Sequence, residues 1–489
     1  MRILCLNPAP FGNMNKDDLL VKEGRCMERS GAWSNLRMPI TLAYLSAILK
    51  KEKYEVELID NIAMKYIKRP VDIKEFIGSF EPDVLILNTS IPSVFNEDLE
   101  NAKIAKEINK KIVVIMFGVA PTLISDEILK TGAVDICIRK EPELIIKDIC
   151  KNIKGKKSLK DVKNISFLHE GRIVHNKDSE ELIDLDSLPF PDYESLPFDA
   201  YRTPVDKDKQ VLIDVSRGCP HQCIYCTGTK YYGHVFRHRD PKKVADEMEH
   251  VSGLGVKKVL FWADTFTLNN DFVYKLCNEI TERGLEQRMS WIVNSRVNTV
   301  TPDLFKKMDE AGCFLIGFGV ESGVQEILDY VNKGIKLQDS INTFRWIKDT
   351  NILSASHVVF GLAPFESAKT IKQTIEFVYN KLEPNYANFH IAIPYPGTKL
   401  YEIYDKGGYI INKKFGLLES INANIRLPYL SENDLAYWRN YAFYHFYFRR
   451  GFIMQEIKKL RSIREAYNLV TNGLWFLDGW VNAKKQKSA

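Results

Sequence analysis

Twice along this chain, short apolar runs alternate with stretches of helical period, an order best satisfied by a parallel sheet wrapped in helices. In the first series, strands are predicted over 2–7, 56–60, 83–89, 112–118 and 135–139, and helices over 39–53, 73–80, 99–109 and 126–131. Five strands give a doubly wound, flavodoxin-like α/β domain over residues 1–150. Its ligand belongs beyond the carboxyl ends of the strands, at Asn7-Pro8-Ala9, Asn88-Thr89-Ser90 and Gly118-Val119-Ala120. The second series has strands over 211–216, 258–262, 290–294, 314–320, 354–360 and 388–393, with helices such as 241–251 and 271–283. Six units predict a partial (βα)6 barrel over 209–400, with its chemistry again at the strand C-terminal ends. Between the two, residues 151–208 turn lysine-rich and then proline-punctuated, which predicts an extended linker across the surface. Residues 401–489 read as helical and aromatic-rich. A chain of 489 residues exceeds one hydrophobic core, in keeping with two domains and an extension.

The net charge of +5 is small for this length and does not call for nucleic acid. The opening MRILCLNPAP runs straight into a strand, with neither a basic apolar leader nor a bilayer-spanning run, so a cytoplasmic protein is expected. Nine cysteines, an odd number, do not suggest a disulfide framework. Cys5, Cys26, Cys137, Cys150, Cys277 and Cys313 are scattered, mostly in apolar stretches, and read as small packed hydrophobes. Cys219, Cys223 and Cys226 share one loop just after the first barrel strand. Three thiolates so placed can ligate three irons of a cluster and leave the fourth open to a small molecule. The alternative is a structural zinc site, for which His221 or His234 would supply the fourth ligand.

The Cys-x3-Cys-x2-Cys loop, with aromatic Tyr225 before its last cysteine, resembles the radical S-adenosylmethionine (SAM) superfamily. Trp262-Ala263-Asp264, Asn294-Ser295-Arg296, Gly317-Phe318-Gly319-Val320-Glu321-Ser322, Gly361-Leu362-Ala363-Pro364 and Tyr395-Pro396-Gly397-Thr398 follow in the family's order. The resemblance implies a 4Fe–4S cluster on Cys219, Cys223 and Cys226 whose open iron chelates SAM. One electron from an external donor of flavodoxin or ferredoxin type then cleaves SAM to a 5′-deoxyadenosyl radical. It also makes Tyr225, Asp264, Arg296 and Glu321 candidate cofactor contacts.

A doubly wound domain ahead of such a barrel resembles the cobalamin-binding subfamily, on segments 37–45, 88–93 and 139–143. Lys140 stands where that family commonly has glycine, and Gly118-Val119-Ala120-Pro121 replaces its double glycine and histidine. The resemblance implies cobalamin at an edge bearing Asn88, Ser90, Ser93 and Gly118; the alternative is a domain that only packs on the barrel. Between Tyr437 and Trp480, aromatic residues interleave with Arg and Lys. They read either as a helical cap on the barrel or as an interfacial surface in peripheral contact with a membrane. The function implied is methylation of an unactivated carbon in a hydrophobic small molecule such as a lipid, isoprenoid or tetrapyrrole. Radical carbon–carbon bond formation or cyclisation is the alternative, and a non-catalytic cobalamin sensor or carrier a third reading.

Overall fold

A computed structural model of the chain describes residues 1–10, 36–89, 95–203, 207–414 and 423–459. Strands β1 (Arg2–Asn7), β2 (Glu55–Asp60), β3 (Val84–Asn88), β4 (Val113–Phe117), β5 (Ile136–Ile138), β6 (Ile165–His169) and β7 (Arg172–His175) form one sheet in the order β2-β1-β3-β4-β5-β6-β7. The first five are parallel. Alternate residues serve two separate cores: Val84 and Ile86 of β3 pack to one side, Leu85 and Leu87 to the other. That is why these strands read as continuous apolar runs. The order 2-1-3-4-5 reverses between β1 and β3, which opens a ligand crevice above Asn7 and Asn88.

Residues 151–208 are not a surface linker. β6 and β7 make an antiparallel hairpin that extends the sheet, because Glu170 and Gly171 both take positive φ, the turn that two-residue hairpins favour. The proline-punctuated half is a wedge between the two domains. Its prolines donate no N–H, so it runs extended without pairing, while Tyr193, Leu196, Ala200 and Tyr201 are buried. The Tyr193 hydroxyl donates to Leu212 O (3.0 Å) and Glu247 Oε1 (2.6 Å), and Tyr201 donates to Asp60 Oδ2 (2.6 Å). Asp192 accepts from Ser46 Oγ (2.6 Å) and pairs with Lys50 (2.7 Å) on the helix Ile40–Lys51.

The second sheet holds β8 (Gln210–Asp214), β11 (Lys258–Trp262), β12 (Ser290–Ser295), β13 (Cys313–Glu321), β14 (Leu353–Phe360) and β15 (Tyr386–Ile391), all parallel, in the order β15-β14-β13-β12-β11-β8. The predicted strand 211–216 breaks at Val215. Beyond it, β9 (Ser216–Arg217) pairs antiparallel with β10 (Arg237–His238) and so brackets the cysteine loop. The helix Glu432–Tyr447 covers β15 from outside: Phe446 meets Phe389 at 6.4 Å and Tyr379 at 5.5 Å between ring centroids, and the Tyr447 hydroxyl donates to Ala387 O at 2.9 Å. The described aromatic residues thus form the cap. Tyr467, Trp475, Phe476 and Trp480 lie outside the described residues. No described helix is long and apolar enough to cross a membrane.

Candidate active site

The cysteine loop begins where β9 ends, at Arg217, whose side chain is 1% exposed. Its guanidinium pairs with Glu141 (2.9 Å), Glu143 (2.7 Å) and Asp214 (2.7 Å), and lies over the Tyr232 ring at 5.4 Å. Glu141 and Glu143 belong to the segment after β5, so a fully buried ion network joins the cysteine loop to the first domain. Burial pushes the Asp214 carboxyl up to about 6 despite the opposing pull of Arg217. Gly218 follows at φ +82°, and a Cβ there would stand 2.1 Å from Val235 O, so glycine alone fits.

Cys219 is buried, while Cys223 and Cys226 are half-buried; all three are free thiols. Asp264, just past β11, accepts from Gly218 N (2.8 Å) and fixes the entry to the loop. Thr265 Oγ1 lies 3.9 Å from Cys219 Sγ, Gly228 N donates to Cys226 Sγ (3.3 Å), and Arg296 Nη1 stands 4.0 Å from Cys223 Sγ. Donors around three thiols on one loop suit an anionic cluster. Among the described residues, no three His, Cys, Asp or Glu side chains converge on one point as a single-ion site would need. Elsewhere burial raises the thiols of Cys5, Cys137 and Cys313, and takes those of Cys150 and Cys277 up to about 12, so these cysteines stay protonated. Cys26 lies outside the described residues.

Arg296, past the end of β12, also donates to Lys333 O. Glu321 ends β13 at φ +62° and pairs with Lys333 Nζ at 2.6 Å; the same ammonium lies 3.4 Å from the Tyr225 hydroxyl. Burial alone would raise Glu321, but Lys333, His357 and Tyr225 hold its carboxyl below the ordinary glutamate value. The structure therefore brings Tyr225, Arg296 and Glu321 together beside the cysteine loop, and adds Lys333. Lys333 follows Asn332 in a short turn and carries no motif, so nothing in the sequence marks it. Two glycines of β13 clear the space beneath: a Cβ on Gly319 would lie 2.6 Å from Glu321 Oε1, and one on Gly317 would lie 2.3 Å from Asn294 Oδ1 and 2.7 Å from His357 Nε2.

At the first sheet, Asn7 donates to Asp60 Oδ1 (2.9 Å) and Thr89 N to Phe117 O (3.0 Å). Asn7 Oδ1 and Thr89 Oγ1 are buried with no hydrogen-bond partner among the described residues. Gly118, at φ +120°, follows β4, and Val119 packs on Tyr231 and Tyr232 beyond the cysteine loop. Spare polar atoms beside bare backbone fit the broad, amide-fringed corrin that the resemblance implies. Ser90 and Ser93 lie outside the described residues.

The loop after β14 is pinned by Glu366, whose Oε2 accepts from Gly361 N (2.8 Å) and Leu362 N (2.9 Å). Burial pushes its carboxyl from 4.5 up to about 7. A carboxyl raised on folding stabilises the protein fully below its unfolded value, and that stability is lost as pH rises through 7. Glu366→Gln keeps the acceptor and removes the titration. The variant is expected to gain about 2 kcal/mol on wild type between pH 5 and pH 8, measured by urea unfolding at both pH values; an unchanged difference would refute this.

Residues 213–378 match the Radical SAM superfamily, and residues 36–147 match the B12 binding domain. An uncharacterised methyltransferase of Pyrococcus horikoshii is 29% identical over 86% of this chain and 90% of its own length. An anaerobic magnesium-protoporphyrin IX monomethyl ester cyclase of Cereibacter sphaeroides is 26% identical over 92% of this chain and 75% of its own length. Among solved structures, the cobalamin-dependent SAM radical enzyme OxsB, with aqua-cobalamin and SAM bound, shares the fold at a TM-score of 0.70 and 16% identity, over 96% of this chain and 70% of that one. The radical SAM methyltransferase TsrM of Kitasatospora setae does so at 0.66 and 15% identity, over 83% and 78%. With a barrel matched to one family, a sheet domain matched to the other, and donor sets that fit a 4Fe–4S cluster, SAM and cobalamin, this chain belongs to the cobalamin-dependent radical SAM enzymes.

Proposed function

We propose that this enzyme methylates an unactivated carbon of a largely hydrophobic small molecule, using an electron from an external flavodoxin- or ferredoxin-type donor. The observation that carries the reading is the buried contact of Arg217 with Glu141 and Glu143, which holds the cysteine loop against the edge of the B12-binding domain. A joint that rigid suits two cofactors serving one substrate. When bound, the cluster and cobalamin supply reductive SAM cleavage and methyl transfer. Cys219, Cys223 and Cys226 ligate the cluster, with Asp264 fixing their loop. Arg296, Glu321 and Tyr225 line the SAM side, and Lys333 orients Glu321. Asn88 and Gly118 border the corrin. Ring closure is the second reading, favoured by the likeness to the magnesium-protoporphyrin cyclase over 92% of this chain.

Anaerobically reconstituted, reduced holoenzyme is tested with SAM and candidate acceptors, followed by chromatography. 5′-Deoxyadenosine together with S-adenosylhomocysteine supports methylation; deoxyadenosine alone supports ring closure; neither overturns both readings.

The corrin's lower face is expected to receive no histidine from this domain. Residues 1–168 contain none. His169 and His175 prove to lie in the sheet, but on the hairpin at the edge away from β1, where His175 faces Asp126 (3.1 Å) and Ser166 (2.8 Å). The lower face is expected to carry no nitrogen ligand, from the protein or from the cofactor's own base, and nitrogen superhyperfine splitting in the paramagnetic resonance of the cobalt(II) form would refute the expectation.

A further inference from the structure

Along β15, burial alternates: Ala387, Phe389 and Ile391 are buried, and Tyr386, Asn388 and His390 are half-buried. Phe389 and Ala387 meet the covering helix outside, so Asn388 and His390 stand on the opposite, lumen face, since successive side chains alternate. On β14 the residue level with Asn388 is His357, and on β13 the residue level with His357 is Gly319. Asn294 of β12 is level with Gly317. The space that Gly317 leaves is bordered by Asn294 Oδ1 and His357 Nε2. The His357 and His390 rings lie 6.2 Å apart at 21°, with Asn388 Nδ2 3.5 Å from His357 Nδ1. Four polar side chains from three strands therefore converge inside the barrel beside Glu321 and Lys333, whose charges offset each other. A pocket for a purely hydrocarbon substrate would place aliphatic side chains here, because an amide or imidazole left against hydrocarbon loses its hydrogen bonds to water.

We infer that His357, His390, Asn294 and Asn388 form a subsite of the barrel lumen that binds a carboxylate of the substrate. The inference rests on the proposed function and narrows it: the molecule is amphiphilic, with an apolar body and an acidic arm that reaches into the barrel. Two imidazoles and two carboxamides offer up to eight N–H donors when the imidazoles are protonated, and a carboxylate is an acceptor only. Bonds to a charged partner exceed those to a neutral ester, so the free acid is preferred.

The test uses reconstituted holoenzyme and three acids with their methyl esters: decanoic acid, indole-3-propionic acid and protoporphyrin IX. Binding is read by equilibrium dialysis under nitrogen, with saturating SAM present. At least one acid is expected to bind ten-fold or more tightly than its ester, with the preference shrinking below three-fold in His357→Phe and His390→Phe, whose iron content serves as the folding control. Three results would each overturn the inference: no acid preferred over its ester, a preference unchanged in both variants, or displacement of the acid by SAM, which would give the lumen groups to SAM. Because binding requires no turnover, failure here is separable from failure to methylate.

Discussion

Iron counted on anaerobically reconstituted Cys223→Ala protein is expected to fall to background, and the same is expected of Cys219→Ala and Cys226→Ala. Three thiolates are the fewest that hold a four-iron cluster while leaving one iron for SAM, and a cluster bound through two is readily lost. Cys277→Ala and Cys313→Ala should keep the wild-type iron complement, because those thiols are buried in the barrel wall and burial keeps them protonated. The contrast is the measurement: a full complement in Cys223→Ala, or its loss in Cys277→Ala, would move the site elsewhere.

Arg217→Ala is expected to cost about 3–5 kcal/mol, the scale for breaking a buried ion network from one side. Whole proteins of ordinary stability have only about 5–15 kcal/mol to lose. The substitution strands Glu143 and Asp214 and leaves Glu141 with Arg237 alone (3.0 Å), and all three carboxylates are buried. With its countercharge gone, Asp214 moves above the value near 6 that burial already imposes. A carboxyl raised further loses stability as pH rises through that higher value, so the variant should be more damaged at pH 8 than at pH 6. Urea unfolding of wild type and variant at both pH values checks this. A cost under about 1 kcal/mol, the range of an exposed pair, would mean the network does not hold the loop to the first domain. Adding Glu143→Gln should restore part of the loss, which separates stranded charge from lost packing.

Both sheets were legible because a parallel strand buried on two faces leaves a dense apolar run, and the helices between keep their period. The cysteine loop was legible because its ligands lie within a few residues of one another. What stayed hidden depends on distance. Lys333 reaches Glu321 from a turn, and Glu141 lies 76 residues from its partner Arg217. His357 and His390 meet only when two strands come into register. The hairpin at 165–175 had a local sign in Glu170-Gly171, outweighed by the lysines and prolines around it. The proline run was extended as expected, but proline density says nothing about burial. There the decisive residues were the tyrosines between the prolines.

Those tyrosines bear on how such enzymes can be recombined. Tyr193 answers to a carbonyl of the barrel and Tyr201 to an aspartate of the sheet domain, so the 192–201 stretch is fitted to both hosts at once. A chimera that takes its sheet domain from one relative and its barrel from another inherits a key cut for only one of two locks, wherever the splice falls outside this stretch. Grafts that exchange residues 192–201 along with the helix Ile40–Lys51 also keep the contacts of Asp192 with Ser46 and Lys50, and should outnumber the others among soluble recombinants.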